Sequence, residues 1–169
     1  MAEFDHPDLS PSDAVVALRS FPRRYRGLLA TDDDDPDGVA ARRPDAGSWS
    51  ALEHTAHVAN ALDAGAGDLA RVLQDDDPAV SDPATAPADG ASAVEPTLDR
   101  LTAAADRLVQ AIDRYSPRDW SRPARLADGR AVDALWLVRT AVQEAARHLR
   151  QAEGVVAQVR GRPVDEDDD

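Results

Sequence analysis

Leu98-Asp99-Arg100-Leu101-Thr102-Ala103-Ala104-Ala105-Asp106-Arg107-Leu108-Val109-Gln110-Ala111-Ile112-Asp113-Arg114-Tyr115 is the stretch that decides the fold class. Leu98, Leu101, Ala105, Leu108, Ile112 and Tyr115 return at steps of three and four, so they hold one face of an α-helix through about five turns. A half-buried strand would alternate with a period of two, and that pattern is missing here. An apolar stripe on one face has to be buried against other elements, so helices with matching stripes are expected on both sides of this one.

Upstream, Ser50 and Glu53 form a capping box that opens a second helix, with Trp49 just outside it to staple the start. That helix runs through Val58, Leu62, Leu69, Val72 and Leu73 toward Gln74, and Gly65 and Gly67 weaken it by ~1 kcal/mol each relative to alanine. Further upstream, Ser10-Pro11-Ser12-Asp13 supplies a serine cap, a proline at the first helical position and an acid in the first turn. Val15, Leu18, Tyr25 and Leu28 carry that first helix, and Pro22 is expected to kink it or split it in two. Downstream, a fourth helix is expected from about Ala131 to Val159. Strand signals are nearly absent, and residues 75–92 read as a linker without structure of its own. Residues 116–130 hold Trp120, Pro117 and Pro123, and the turn-like Asp128-Gly129. The expectation is therefore an all-α four-helix bundle over residues 10–160, preceded by a short segment (1–9) and followed by an acidic, disordered tail (161–169).

Composition bounds the chemistry. The net charge is −13, with 32 acidic residues against 19 basic ones, which are all arginine and mostly dispersed. Nucleic-acid binding needs basic patches that displace counterions from phosphates, so it is not expected. A GC-rich genome and adaptation to high salt both account for this acidic, arginine-only composition. The clustering of acids in loops and tail favours the former. The run Asp32 to Asp35 reads as solvated charge, because it lacks the alternating ligands and glycine of a calcium loop. There is no cysteine, so neither disulfides nor thiolate metal clusters are available. No signal-peptide pattern opens the chain and no apolar run approaches the ~20 residues that span a bilayer, so a cytoplasmic location is expected.

The chemical anomaly lies on the fourth helix. Its inward stripe reads Leu137, Ala141, Glu144, His148, Ala152, Val155 and Val159, which sets Glu144 and His148 one turn apart within an apolar seam. A carboxylate there must be protonated, paired with a base or bound to a metal. An i, i+4 pair is a common way for a helix to hold a divalent ion, and it needs a third ligand from another helix. Of the four histidines, His6 falls in the N-terminal segment and is expected at the surface. His57 shares a face with Ala61 and is the better inward candidate. His54, three residues earlier, is a candidate for an outer or alternative ligand. A histidine on an apolar face is also often only a satisfied core residue, and a Glu-His pair a helix-stabilising contact, so both readings stand at this point.

The pattern Trp49-Ser50-x-x-Glu53-x-x-x-His57, with His148-Leu149-x-Gln151 on the last helix and Asp119-Trp120 before it, resembles the DinB-like proteins from about Ser10 to Val159. These are metal-binding four-helix bundles that include thiol-dependent transferases and the mycothiol-dependent maleylpyruvate isomerase. The resemblance implies a metal held by one residue of the second helix and two at i, i+4 on the fourth, all histidine in family members. Carried over, the positions are His57, Glu144 and His148. Glu144 departs from the pattern, and a carboxylate with two histidines either retunes the metal (zinc or nickel first, then manganese or iron) or marks a degraded site. The implied activity is transfer of a diffusible thiol such as mycothiol to an electrophilic small molecule, with hydrolysis as a variant on the same residues. The alternative is a non-catalytic bundle that binds a small ligand or partner. A homodimer is implied by resemblance only.

Overall fold

The computed structural model describes residues 8–30 and 38–161. The Asp32 to Asp35 run, His6 and the acidic tail after Gly161 lie outside the described residues. Five helices are present among those described: α1 (Pro11–Leu28), the single-turn α2 (Gly38–Ala41), α3 (Ala51–Gln74), α4 (Val94–Asp113) and α5 (Ala134–Gly161). The expected capping box at Ser50 and Glu53 is made, and the expected serine cap at Ser10 closes as a box too, with Asp13. Ser10 accepts from the Asp13 N–H and Ser50 from the Glu53 N–H, each at 3.1 Å, and each acid reaches back to the cap backbone.

The four long helices form the bundle. α3 packs against α4 and α5, and α1 against the same two, so α1 and α3 stand diagonally opposite, as do α4 and α5. The adjacency of α3 and α5 matters most, because it brings His57 beside Glu144. The core is rich in alanine and leucine, with Leu18, Leu62, Leu69, Leu98, Leu101, Leu108, Leu137 and Leu149 nearly or wholly removed from water. Burial of one such leucine stabilises by about 1.5–3 kcal/mol. Two tyrosines tie neighbouring helices through hydroxyls that donate to backbone: Tyr25 of α1 to the Ala145 carbonyl of α5 at 2.8 Å, and Tyr115 just after α4 to the Leu69 carbonyl of α3 at 2.7 Å.

The structure narrows or corrects the sequence expectation in four places. Of the two outcomes expected at Pro22, the split does not occur: α1 is one helix from Pro11 to Leu28, with Phe21 and Tyr25 on either side of the proline buried in the core. Residues 38–41, in the stretch to Gly47 whose Pro, Gly and acidic content reads as a loop, form a helical turn. The last helix begins at Ala134, not Ala131: Ala131–Asp133 pairs antiparallel with Pro123–Arg125 as β2 and β1, closed by a turn with Gly129 at φ 85°. Asp133 then caps α5 by accepting from the Trp136 N–H at 2.8 Å. Three-residue strands are too short to show alternation, so the sequence carried no strand signal.

The fourth difference bears on the site. Residues 75–92 are a fixed strap across α3. The Val80 N–H donates to the Arg125 carbonyl at 2.8 Å, and the Ser81 N–H to the Asp68 carboxylate at 2.9 Å. A 3-10 turn at Pro83–Thr85 follows, touching both α3 and α5. The Asn60 amide then donates to the carbonyls of Pro87 and Asp89 at 2.9 and 3.0 Å. A segment rich in Asp, Pro and Ala thus gains order from side chains of the helix beneath it.

Candidate metal centre

The fold brings His57 of α3 together with Glu144 and His148 of α5, all three buried. One ligand-type atom from each lies within 4.8 Å of the other two. His57 Nε2 is 3.4 Å from Glu144 Oε2, and His148 Nε2 is 3.2 Å from the same oxygen. The two imidazole centroids are 4.2 Å apart. Glu144 also accepts from Arg147 Nη2 at 2.7 and 2.8 Å, one turn along α5. His54 does not join the cluster. Its Nδ1 faces His148 Nδ1 at 2.8 Å, which makes it an outer partner that orients the His148 ring.

The outer nitrogens decide what the inner ones can do. His57 Nδ1 lies 2.6 Å from the Ala86 carbonyl, an acceptor with no hydrogen to give, so Nδ1 must carry the proton. Neutral His57 then aims the lone pair of Nε2 at a carboxylate oxygen, acceptor against acceptor. Only a cation between them resolves this: a second proton on His57 or a metal ion. The donor set fits a metal. Bonds of about 2.0–2.2 Å in a tetrahedral shell separate neighbouring donors by roughly 3.3–3.6 Å. The two separations from Glu144 Oε2, 3.4 and 3.2 Å, lie in or beside that range. Two imidazoles and one carboxylate are a donor set that divalent transition metals accept.

Electrostatics prepare the donors in the protonation states a metal needs. Burial alone would raise the Glu144 carboxyl, but its contacts with His148, His57 and the Arg147 guanidinium overcome it and hold the group well below the usual carboxylate range. Burial pushes His148 below its ordinary value, with the Glu144 carboxylate opposing. Burial takes His54 down to about 4, helped by repulsion from His148 and His57, so it stays neutral at physiological pH. Trp49 closes the cluster from above, its ring centroid 5.3–5.9 Å from those of His54, His57 and His148. Beside the cluster, a cavity of about 530 Å³ opens to solvent, lined by Trp49, His54, His148, Arg147, Gln151 and five further residues along with Gln158.

The sequence reading picked out His57, Glu144 and His148, and the structure brings those three together. It missed Arg147 and the Ala86 carbonyl. Arg147 follows Glu144 by three residues and so was legible as a partner; nothing in residues 75–92 announced that a carbonyl there would orient a histidine.

Residues 17–152 match the DinB superfamily. The chain belongs to the DinB superfamily. Among solved structures, YfiT from Bacillus subtilis, described as a probable metal-dependent hydrolase with an unusual four-helix bundle topology, is similar with a TM-score of 0.70 and 13% identity, covering 89% of this chain and 87% of that one. The mycothiol-dependent maleylpyruvate isomerase is similar with a TM-score of 0.61 and 17% identity, covering 85% of this chain; this chain spans only 61% of that protein. At these identities the likeness establishes the four-helix fold. No curated protein matches the chain significantly. No helix among the described residues is long and apolar enough to cross a membrane.

Proposed function

We propose that this DinB protein is a divalent-metal-dependent enzyme in which His57, Glu144 and His148 hold the ion and a small diffusible thiol is transferred to an electrophilic small molecule. The observation that carries it is the convergence of two imidazole Nε2 atoms on one carboxylate oxygen at 3.4 and 3.2 Å, with both Nδ1 atoms already engaged by Ala86 and His54. Three protein ligands leave room for an exogenous one, the arrangement of catalytic rather than structural zinc sites. When bound, the ion supplies Lewis-acid activation, lowering the pKa of a thiol or a water so that it attacks at neutral pH.

The chain's own residues do the rest. Trp49 shields one side of the cluster from water, and the cavity beyond His148 gives a small molecule access. Ala86 and His54 fix the ring orientations of His57 and His148. Because the chain has no cysteine, the sulfur nucleophile must come from solution. Mycothiol is the thiol suggested by the likeness to the isomerase. Hydrolysis is the second reading, favoured by the likeness to YfiT, and uses the same three ligands.

The test is direct. Protein purified without a histidine tag should contain close to one equivalent of divalent metal, and the loaded enzyme should accelerate loss of free thiol in the presence of an electrophile such as monochlorobimane. His148→Ala should lose both properties. A wild-type protein that retains no metal and takes up none of zinc, nickel, manganese or iron would overturn the proposal. Metal uptake with ester hydrolysis but no thiol consumption would shift it to the hydrolytic reading.

A further inference from the structure

We propose that the small molecule taken by the cavity beside His148 carries a carboxylate, and that Arg147 is the residue that binds it. This deepens the functional reading and rests on it only for what sits on the metal side of the ligand. Three observations support the assignment. First, Arg147 makes both of its bonds to Glu144 through Nη2, which leaves Nε and Nη1 without a hydrogen-bond partner among the described residues. Its side chain is 49% exposed and lines the cavity. A guanidinium that is half anchored and half open is positioned to make charge-assisted hydrogen bonds to an incoming anion.

Second, the cavity's composition is opposite to that of the chain. The sequence has 32 acidic residues among 169 and a net charge of −13, yet none of the described residues lining this cavity is Asp or Glu. Arg147 is the one arginine among those residues. On a protein whose field repels anions at long range, one acid-free pocket with an arginine in its wall selects for them locally. Third, the lining beyond Arg147 offers uncharged hydrogen-bonding groups: Gln151 and Gln158 follow on the same side of α5, and Ser48 and Trp49 line the same cavity. That suits the polar body of a small acid better than an aliphatic chain.

The cavity also has an obvious place to be blocked. A Cβ added at Gly154, which lines it, meets nothing within 4 Å, so Gly154→Leu should fold while filling the space. The added Cβ is not within 4 Å of Arg147 or of the three proposed ligands, and replacing a helical glycine favours the helix.

The experiment compares a thiol acid with its amide on zinc-loaded protein: calorimetric titration with 3-mercaptopropionate and with 3-mercaptopropionamide. The wild type should bind the acid at least tenfold more tightly than the amide. Arg147→Gln should bind the two equally, and Arg147→Lys should recover part of the preference. Gly154→Leu should weaken both ligands with zinc affinity unchanged. The inference is overturned if the wild type does not discriminate, if discrimination survives in Arg147→Gln, or if Gly154→Leu leaves both affinities intact. Should no zinc load, the metal reading falls on its own. Arg147 is then tested in the metal-free protein by NMR with butyrate against butyramide. Butyrate-specific shifts of the Arg147 side chain, with no shifts along residues 151–158 in Arg147→Gln, uphold the assignment, and their absence from the wild type overturns it.

Discussion

Two carboxylates are buried among the described residues, and their surroundings part their roles. Asp68 on α3 and Glu144 on α5 are 3% and 7% exposed. Asp68 accepts the Ser81 N–H at 2.9 Å and lies 3.5 Å from Arg71 Nη2, so its job is to fasten the strap of residues 75–92 to the helix. Burial wins there, and its carboxyl is raised despite those partners. At Glu144 the contacts with His148, His57 and Arg147 win and the carboxyl is lowered. Burial of an acid is thus no sign of a site by itself. What separates Glu144 is two imidazoles aimed at one of its oxygens, each with its far nitrogen already engaged.

The comparison is most severely tested by removing the imidazoles. With free metal a hundredfold above its dissociation constant, binding should stabilise the fold by ~2.7 kcal/mol. His57→Ala and His148→Ala should abolish that gain, seen as melting temperatures that no longer respond to a chelator. Asp68→Asn should keep the full chelator response. A lost response in Asp68→Asn would erase the distinction between the two acids.

Next in size is the carboxylate itself. Glu144→Gln should weaken zinc binding by about tenfold or more, ~1.4 kcal/mol, because an amide is a poor substitute for a charged oxygen donor. Glu144→His should restore binding and favour zinc or nickel over manganese. Equal zinc affinity in wild type and Glu144→Gln by calorimetry would place this carboxylate outside the metal's shell.

In chelator-treated protein the two acids should also give opposite pH signatures. Glu144 has a folded pKa below its unfolded value of ~4.3, so its contribution is fully present above that pH and is lost as pH falls toward the folded value. The stability gap between wild type and Glu144→Gln should therefore be widest near pH 6 to 7 and close in acid. Asp68 has a folded pKa above its unfolded value of ~3.9, so its charged form costs stability at neutral pH and that cost disappears as pH falls below both values. Any cost of Asp68→Asn should grow on acidification. Urea titrations between pH 3.5 and 7 read both trends, and parallel curves for the two variants would contradict the assignment.

The smallest effect is expected at the strap. Asn60→Ala removes the two hydrogen bonds to the Pro87 and Asp89 carbonyls, each of about 0.5–1.5 kcal/mol. It should loosen the Ala86 carbonyl that orients His57 and lower metal affinity by a few-fold. An unchanged affinity in a destabilised protein would show that the strap serves the fold alone.

The sequence made the helices and the three central residues legible because each left a local signature. Stripes at steps of three and four marked the four long helices, a serine–glutamate box and a serine–proline cap marked two of their starts, and the break of an apolar seam by Glu144 and His148 marked the site. What it hid was non-local. The β1–β2 pair is too short for periodicity, and the strap takes its order from Asp68 and Asn60, residues of another element. The Ala86 carbonyl gives His57 its tautomer through a backbone atom that any residue would supply. Pro22 left two outcomes open, and the split does not occur where Phe21 and Tyr25 on either side of it are buried in the core.

The central claim, that His57, Glu144 and His148 form a metal site, is tested most directly by anomalous diffraction from crystals soaked with zinc and collected on both sides of the zinc edge. The account predicts one strong edge-dependent peak bonded to His57 Nε2, a Glu144 carboxylate oxygen and His148 Nε2 at about 2.0–2.2 Å. A soaked crystal with no peak there, and with His57 and Glu144 still in direct contact, would contradict it.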